Sequence, residues 1–175
     1  MSHRQCLERG IHNTCEVGRL KTVVLHRPGQ ELENLMPEYL ERLLFDDIPY
    51  LKSAQEEHDV FADCLRSCGV EVLYLRDLVS QSITDGEVRN QFIGQFLDEA
   101  GEMKGATRDL LEGYLKELPV GDLVDTMMAG IRKSQVREFA SVQMANSLSL
   151  YSGDYPFLVD PMPNLYFTQI GRAHV

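Results

Sequence analysis

The chain has 175 residues, 43% of them hydrophobic, enough for one ordinary domain or a small module carrying an insertion, which excludes a disordered chain. Its 17 Lys and Arg against 27 Asp and Glu give a formal net charge of -10, a field that opposes polyanions and excludes nucleic acid and anionic membrane as natural partners. The polar start Met1-Ser2-His3-Arg4-Gln5-Cys6 has no apolar leader core, no later run is apolar for the roughly 18 residues a membrane span needs, and Cys6, Cys15, Cys64 and Cys68 lack the spacing of a disulfide framework; a cytoplasmic protein with reduced thiols is predicted.

Residues 20–26 are rich in β-branched side chains and stop at Pro28-Gly29, which predicts a buried strand ending in a turn. After a polar stretch ending at Met36-Pro37, the segment Leu43-Leu44-Phe45-Asp46-Asp47-Ile48-Pro49 reads as a loop or short strand, because Pro49 lacks an amide donor and restricts the residue before it. From 51 to 68, Leu51, Ala54, His58, Phe61, Ala62 and Leu65 recur near the helical period, with Ser53 and Glu56 at capping-box spacing and Gly69 as a left-handed stop. Val70-Glu71-Val72-Leu73-Tyr74-Leu75 then has strand propensity, so residues 20–75 predict a strand, loop, helix, strand module. One such module cannot bury both faces of a sheet.

Beyond Asp77 helical periodicity dominates, punctuated by Gly86, Gly101, Gly105, Pro119, Gly121 and Gly130. Val88, Phe92, Ile93, Phe96 and Leu97 form one apolar stripe; Leu110, Leu111, Tyr114, Leu115 and Leu118 a second; Leu123, Val124, Met127 and Met128 a third. Short stripes joined by short loops predict a small antiparallel bundle, its Met and aromatic positions serving as core. After Tyr151-Ser152-Gly153-Asp154 the pattern returns to strand and turn, with Phe157-Leu158-Val159 as the strand, which makes the helical stretch an insertion.

Chemistry-bearing residues are sparse. Cys64 and Cys68 share a helix with His58, but zinc asks for about four placed ligands and no second pair stands nearby, so they read as two buried structural thiols and no metal is predicted. Neither Cys6 nor Cys15 has a local base to activate it, and His3, His26, His58 and His174 read as mobile-end or satisfied side chains. Asp46 and Asp47, adjacent in an extended segment, point to opposite sides and do not converge on one atom; one of them caps a turn instead. No phosphate-binding glycine loop, Gly-x-Ser-x-Gly or His-Glu-x-x-His is present.

Several segments taken together resemble arginine deiminases of the guanidine-modifying superfamily: Glu16-Val17-Gly18-Arg19-Leu20, Arg27-Pro28-Gly29, Leu43-Leu44-Phe45-Asp46-Asp47 and Pro163-Asn164-Leu165-Tyr166-Phe167-Thr168. The helical stretch of about 77–150 separates that family from smaller relatives such as dimethylarginine hydrolases. The resemblance implies an α/β fold, a five-bladed α/β propeller, of which this chain holds the first strand-helix module (1–76), the helical-bundle insertion (77–150) and the start of the second module (151–168). Residues 169–175 resemble nothing in the family, and the family's other carboxylates, catalytic histidine and nucleophilic cysteine lie further along than this chain extends, so the chain is expected to be incomplete at the C-terminus.

The implied reaction is hydrolysis of L-arginine to L-citrulline and ammonia, without metal or organic cofactor, in a full-length parent that is a homo-oligomer. In the family two carboxylates grip the guanidinium, a cysteine thiolate attacks its central carbon, and a histidine moves protons. Carried over by motif, Leu44 matches a loop residue lining the substrate, Asn164 one near the amino-acid end, and Phe167 one packing on the aliphatic stem. The family's Phe-Thr-Arg-Asp becomes Phe167-Thr168-Gln169-Ile170 here, which removes one gripping carboxylate; no catalytic residue is assigned, and the chain alone is expected to be inactive. Two other readings stay open: a short interaction protein binding a partner through its helical bundle, and a different guanidine-modifying enzyme such as an amidinotransferase.

Overall fold

Strand β1 (Thr22–Leu25) and strand β2 (Glu71–Tyr74) lie side by side in parallel, Thr22 opposite Glu71 and Leu25 opposite Tyr74. The computed structural model describes residues 17–101, 105–140 and 153–167. His3, Cys6, Cys15, His174, the expected tail 169–175 and the end of the helical stretch lie outside the described residues. A parallel pair needs a crossover, which contains the 17-residue helix α3 (Leu51–Ser67). Gly69, at φ 78°, ends α3 in the left-handed region, and Val70 N–H closes on Leu65 C=O at 3.1 Å before β2 begins.

Between β1 and α3 the chain forms a helical turn α1 (Gln30–Glu33), a 3-10 turn (Pro37–Tyr39) and a second helical turn α2 (Leu40–Leu43). Leu32, Leu35 and Leu43 bury here against Leu40, Phe45, Leu51 and Ala54, a small core of their own. The stretch expected as loop or short strand is loop from Leu44 to Pro49, with only its first residue, Leu43, in the helical turn. Bidentate Arg27 to Asp59 bonds of 2.8 Å and a 2.9 Å bond from Gln55 Nε2 to Pro28 C=O tie the Pro28-Gly29 turn to α3.

Helix α4 (Leu75–Ser82) leaves β2 with no intervening loop, followed by α5 (Gly86–Glu99), α6 (Ala106–Glu117) and α7 (Val120–Ala129). The Asp85 side chain caps α5 by accepting from Glu87 and Val88 N–H at 2.9 and 3.0 Å, and these bonds hold its carboxyl below the usual carboxylate range. Ile93, Leu97, Leu110, Leu111, Leu115, Leu123, Val124 and Met127 are almost wholly buried in one core. Each such side chain contributes about 1.5–3 kcal/mol by leaving water. The three predicted stripes meet as expected, with Val88 alone at the rim.

Several expectations need correction. Residues 131–132 form strand β3 (Ile131–Arg132), followed by α8 (Lys133–Phe139); β3 pairs antiparallel with β4 (Phe157–Val159), Ile131 opposite Val159. Ile131 follows Met127 at helical spacing, which disguises the strand; its partner is remote in sequence. Strand β1 is only half covered, because one helix lies on the sheet and Thr22 and Val24 stay exposed. The expected Ser53–Glu56 capping box is absent: Tyr50 is the N-cap of α3 and makes no side-chain cap bond.

Cys64 and Cys68 are exposed, not buried. On a 3.6-residue helix Cys64 stands about 240° round from His58, off the face that buries His58 and Ala62. Phe61 likewise turns outward. Among the described residues no group of three or more His, Cys, Asp or Glu is placed to hold a metal, and no helix is long and apolar enough to cross a membrane.

Gly130 has φ 80°, and a Cβ there would stand 2.5 Å from Pro161 N. Gly130→Ala is expected to destabilise the fold by more than about 2 kcal/mol. Gly94→Ala, mid-α5 with nothing within 4 Å of the added carbon, should stabilise it by roughly 0.5–1 kcal/mol. Denaturant melts of the two variants check both signs.

His58 is buried, its ring 5.9 Å from Tyr74, with Nε2 unpartnered among the described residues, so it is not the satisfied side chain expected. Burial pushes its pKa below the ordinary 6.5. The unfolded chain therefore takes up a proton that the folded chain refuses, and this contribution to stability is complete above about pH 6.5 and lost as pH falls below it, by at most about 1.4 kcal/mol per pH unit. Stability measured from pH 7.5 to 5 should fall less steeply in His58→Leu than in the unaltered chain.

Candidate functional site

Helix α2 closes in a Schellman turn: Phe45 N–H donates to Leu40 C=O at 3.0 Å and Leu44 N–H to Glu41 C=O at 3.2 Å. The hydrophobic contact that accompanies such turns is made by Leu40 and Phe45 against the Leu32–Leu35–Leu43 core. The position that glycine usually fills is Leu44, at φ 60° and ψ 38°. Its side chain is 82% exposed, so the strain of a left-handed leucine is not offset by burial.

Facing this turn is the 3-10 segment Pro163–Tyr166, which follows β4. Asn164 Nδ2 donates to Leu43 C=O at 3.2 Å, meeting one of the carbonyls a helix end leaves open. The Phe167 ring, 45% exposed, lies 6.3 Å from Phe45 and 5.2 Å from Tyr166. Asn164 and Phe167 thus touch residues on either side of Leu44, 121 residues back in the case of the Asn164 bond. Asp47 accepts from Ile48 N–H at 2.8 Å, the local capping role expected for one of the two aspartates.

Away from this junction, a concavity of about 670 Å³ lies between the β1 turn and α7–α8, with His26, Glu31, Asn34, Arg76, Asp125 and Arg132 among its walls. His26 Nε2 and Glu31 Oε1 are buried 2.9 Å apart, Glu31 also accepts Gly29 N–H, and His26 Nδ1 has no partner among the described residues, so His26 too is only half satisfied. Asn34 spans the cleft, donating to Ala129 C=O at 2.6 Å and accepting from Arg132 at 2.6 and 3.2 Å. Arg76 pairs with both oxygens of Asp125 at 2.8 Å, which raises its pKa further above the ordinary value. The polar groups are thus taken up in three separate sets, of which Asn34 ties the turn after β1 to residues 129–132.

Sequence reasoning missed Glu31, Asn34, Arg42, Tyr155 and Asp160. Glu31 and Asn34 are buried beside Leu32 and Leu35, whereas Gln30 and Glu33 of the same stretch stay exposed, so local polarity gave no sign of which polar residues turn inward. Arg42 and Asp160 bond across 118 residues, and nothing in a single sequence signals such a pair.

The family model for arginine deiminase matches residues 41–173. Among curated proteins, the chain is 54% identical over 164 residues to the arginine deiminase of Streptococcus gordonii, covering 91% of this chain and 39% of that protein. It is 51% identical over 160 residues to that of Streptococcus agalactiae, with the same coverage, and 53% identical over 158 residues to that of Streptococcus pneumoniae, covering 88% and 38%. The chain belongs to the arginine deiminase family, and it spans about two fifths of the length of the curated relatives it matches.

Two adjacent leucines should answer truncation unequally. Leu44→Gly removes left-handed strain of about 1 kcal/mol and adds unfolded-chain entropy, leaving stability within about 1 kcal/mol of the original. Leu43→Ala opens a cavity in the small core and should cost about 2–4 kcal/mol in the same denaturant melt.

Proposed function

We propose that the protein is an arginine deiminase that hydrolyses L-arginine to L-citrulline and ammonia, and that this chain carries part of its substrate-contact surface. The observation that supports this reading is that Asn164 and Phe167 contact Leu43 and Phe45, the residues on either side of Leu44, so that three residues matched by motif alone stand at one junction of two remote segments. Phe167 offers its ring to the aliphatic stem, Asn164 its amide to the amino-acid end, and Leu44 borders the entry.

The thiolate, the histidine and the guanidinium-gripping carboxylates belong, in this proposal, to the remainder of the relatives' length. Cys64 and Cys68 sit exposed at the C-terminal end of α3, and neither takes part in the contacts that build the Leu44–Asn164–Phe167 surface. The half-covered β1–β2 sheet is the first module of a five-bladed propeller whose other modules cover it, and the assembled protein is a cytoplasmic homo-oligomer using no cofactor.

The test compares the purified chain with the same sequence extended to the relatives' length, both incubated with L-arginine and assayed for citrulline. The chain alone should give none above a blank and the extended protein sustained turnover, with Phe167→Ala and Asn164→Ala each raising KM roughly 10–100-fold, about 1.4–2.7 kcal/mol of lost binding. No turnover by the extended protein, or unchanged KM in both variants, would contradict the proposal.

A further inference from the structure

The surface at Leu44 is held by more than the Asn164 bond. Arg42 Nε and Nη2 both donate to Asp160 Oδ2, at 3.0 and 2.9 Å, and the Arg42 guanidinium lies over the Tyr155 ring at 4.7 Å. Tyr155 O–H donates to the other oxygen, Asp160 Oδ1, and Tyr39 meets the Tyr155 ring edge-on at 4.7 Å. The guanidinium is thus gripped in its plane by a carboxylate and on its face by a phenol that the same carboxylate orients. This network raises the Tyr155 pKa, burial being the larger cause and the Asp160 bond the next.

The Arg42 side chain is 60% exposed and that of Asp160 35%, and an ion pair so open to water contributes only about 0–1 kcal/mol. Its geometric effect is larger. Helix α2 is a single turn with no intrinsic persistence, so its orientation is set from outside. Leu43 anchors one side of the turn in the small core, and Arg42, the residue before it, anchors the other to the segment that carries Asn164 and Phe167. The remaining links, a 3.2 Å bond to Leu43 C=O and a ring contact at 6.3 Å, depend on that alignment.

We propose that Arg42 and Asp160 are positioning residues, a clamp that sets the tilt of the α2 turn and hence the direction in which Leu44 and Phe45 face Asn164 and Phe167. The inference rests on the arginine deiminase reading above. The clamp touches no substrate; it acts by presenting the residues that do. Its loss weakens ground-state and transition-state contacts alike, which raises KM and leaves kcat nearly unchanged.

The experiment uses the full-length protein with Arg42→Ala, Asp160→Asn, the double variant and Arg42→Lys. Arginine kinetics, melting temperature and hydrogen exchange of the Leu44 and Phe45 amides are read on each. Each single variant should raise KM about 10-fold with kcat within 2-fold, and the double variant should be no worse than either single one, because both remove the same contact. Arg42→Lys, which keeps the charge but loses the planar two-nitrogen grip, should recover less than half of the loss. Arg66→Ala, which breaks the remote surface pair with Asp63, should leave KM unchanged.

Unaltered KM in the single variants, or losses that track melting temperature and are additive, would overturn the clamp. If the unaltered full-length protein forms no citrulline, the arginine reading fails by itself and exchange decides the clamp. Exchange of Leu44 and Phe45 at least 10-fold faster in Arg42→Ala upholds it; unchanged exchange overturns it.

Discussion

The close backbone approach at Gly130 is the constraint on which the rest of the molecule depends. With no Cβ to intervene, the chain at Gly130 passes against Asp160 and Pro161, and Met162 N–H reaches Met128 C=O at 2.9 Å. On the other side of the same crossing, Lys133 N–H reaches Pro156 C=O at 2.8 Å and β3 pairs with β4. The returning segment is thereby fastened along residues 128–133. The first part of the chain is fastened to that stretch as well, since Asn34 bonds both Ala129 C=O and Arg132. Two segments remote in sequence become neighbours because each is bound to the same short strand.

Two kinds of force divide the labour. The helical bundle is held by burial of Leu, Ile, Val and Met side chains, a non-directional gain that fixes which faces meet. The Leu44 surface is held by directional contacts on a small apolar base: a Schellman turn, an amide to carbonyl bond, and an arginine between carboxylate and ring. The energy of each is modest, and their combined effect is orientation. A leucine in the left-handed region, exposed and unrewarded by packing, is tolerated where the surrounding bonds leave the turn no alternative.

Periodicity revealed the elements whose burial is local to one face. The stripes through Ile93, Leu111 and Val124, the helix over 51–67, its Gly69 stop and the strand at 157–159 were all legible, because apolar spacing and a breaker glycine are local properties. Strand β3 was not, since Ile131 continues the spacing of α7 and only a distant partner makes it extended. The exposure of Cys64 and Cys68 was misread because cysteine is usually a buried small hydrophobe, whereas the buried face of α3 passes through His58 and Ala62. The three candidate contact residues came from motif resemblance and not from chemistry visible along the chain. Arg42, Tyr155 and Asp160 had no signal in the sequence, because a network closed across 118 residues leaves no trace in local spacing.

The central claim is that residues 39–45 and 155–167 form one surface that receives the substrate. A crystal structure of the full-length protein with L-arginine bound tests it most directly. The account predicts the arginine stem in van der Waals contact with the Phe167 ring, the Asn164 amide within hydrogen-bond reach of the amino-acid end, and Leu44 at the rim. Arginine seated elsewhere, for instance in the cleft beside His26 and Glu31, with the Leu44 surface empty, would contradict it.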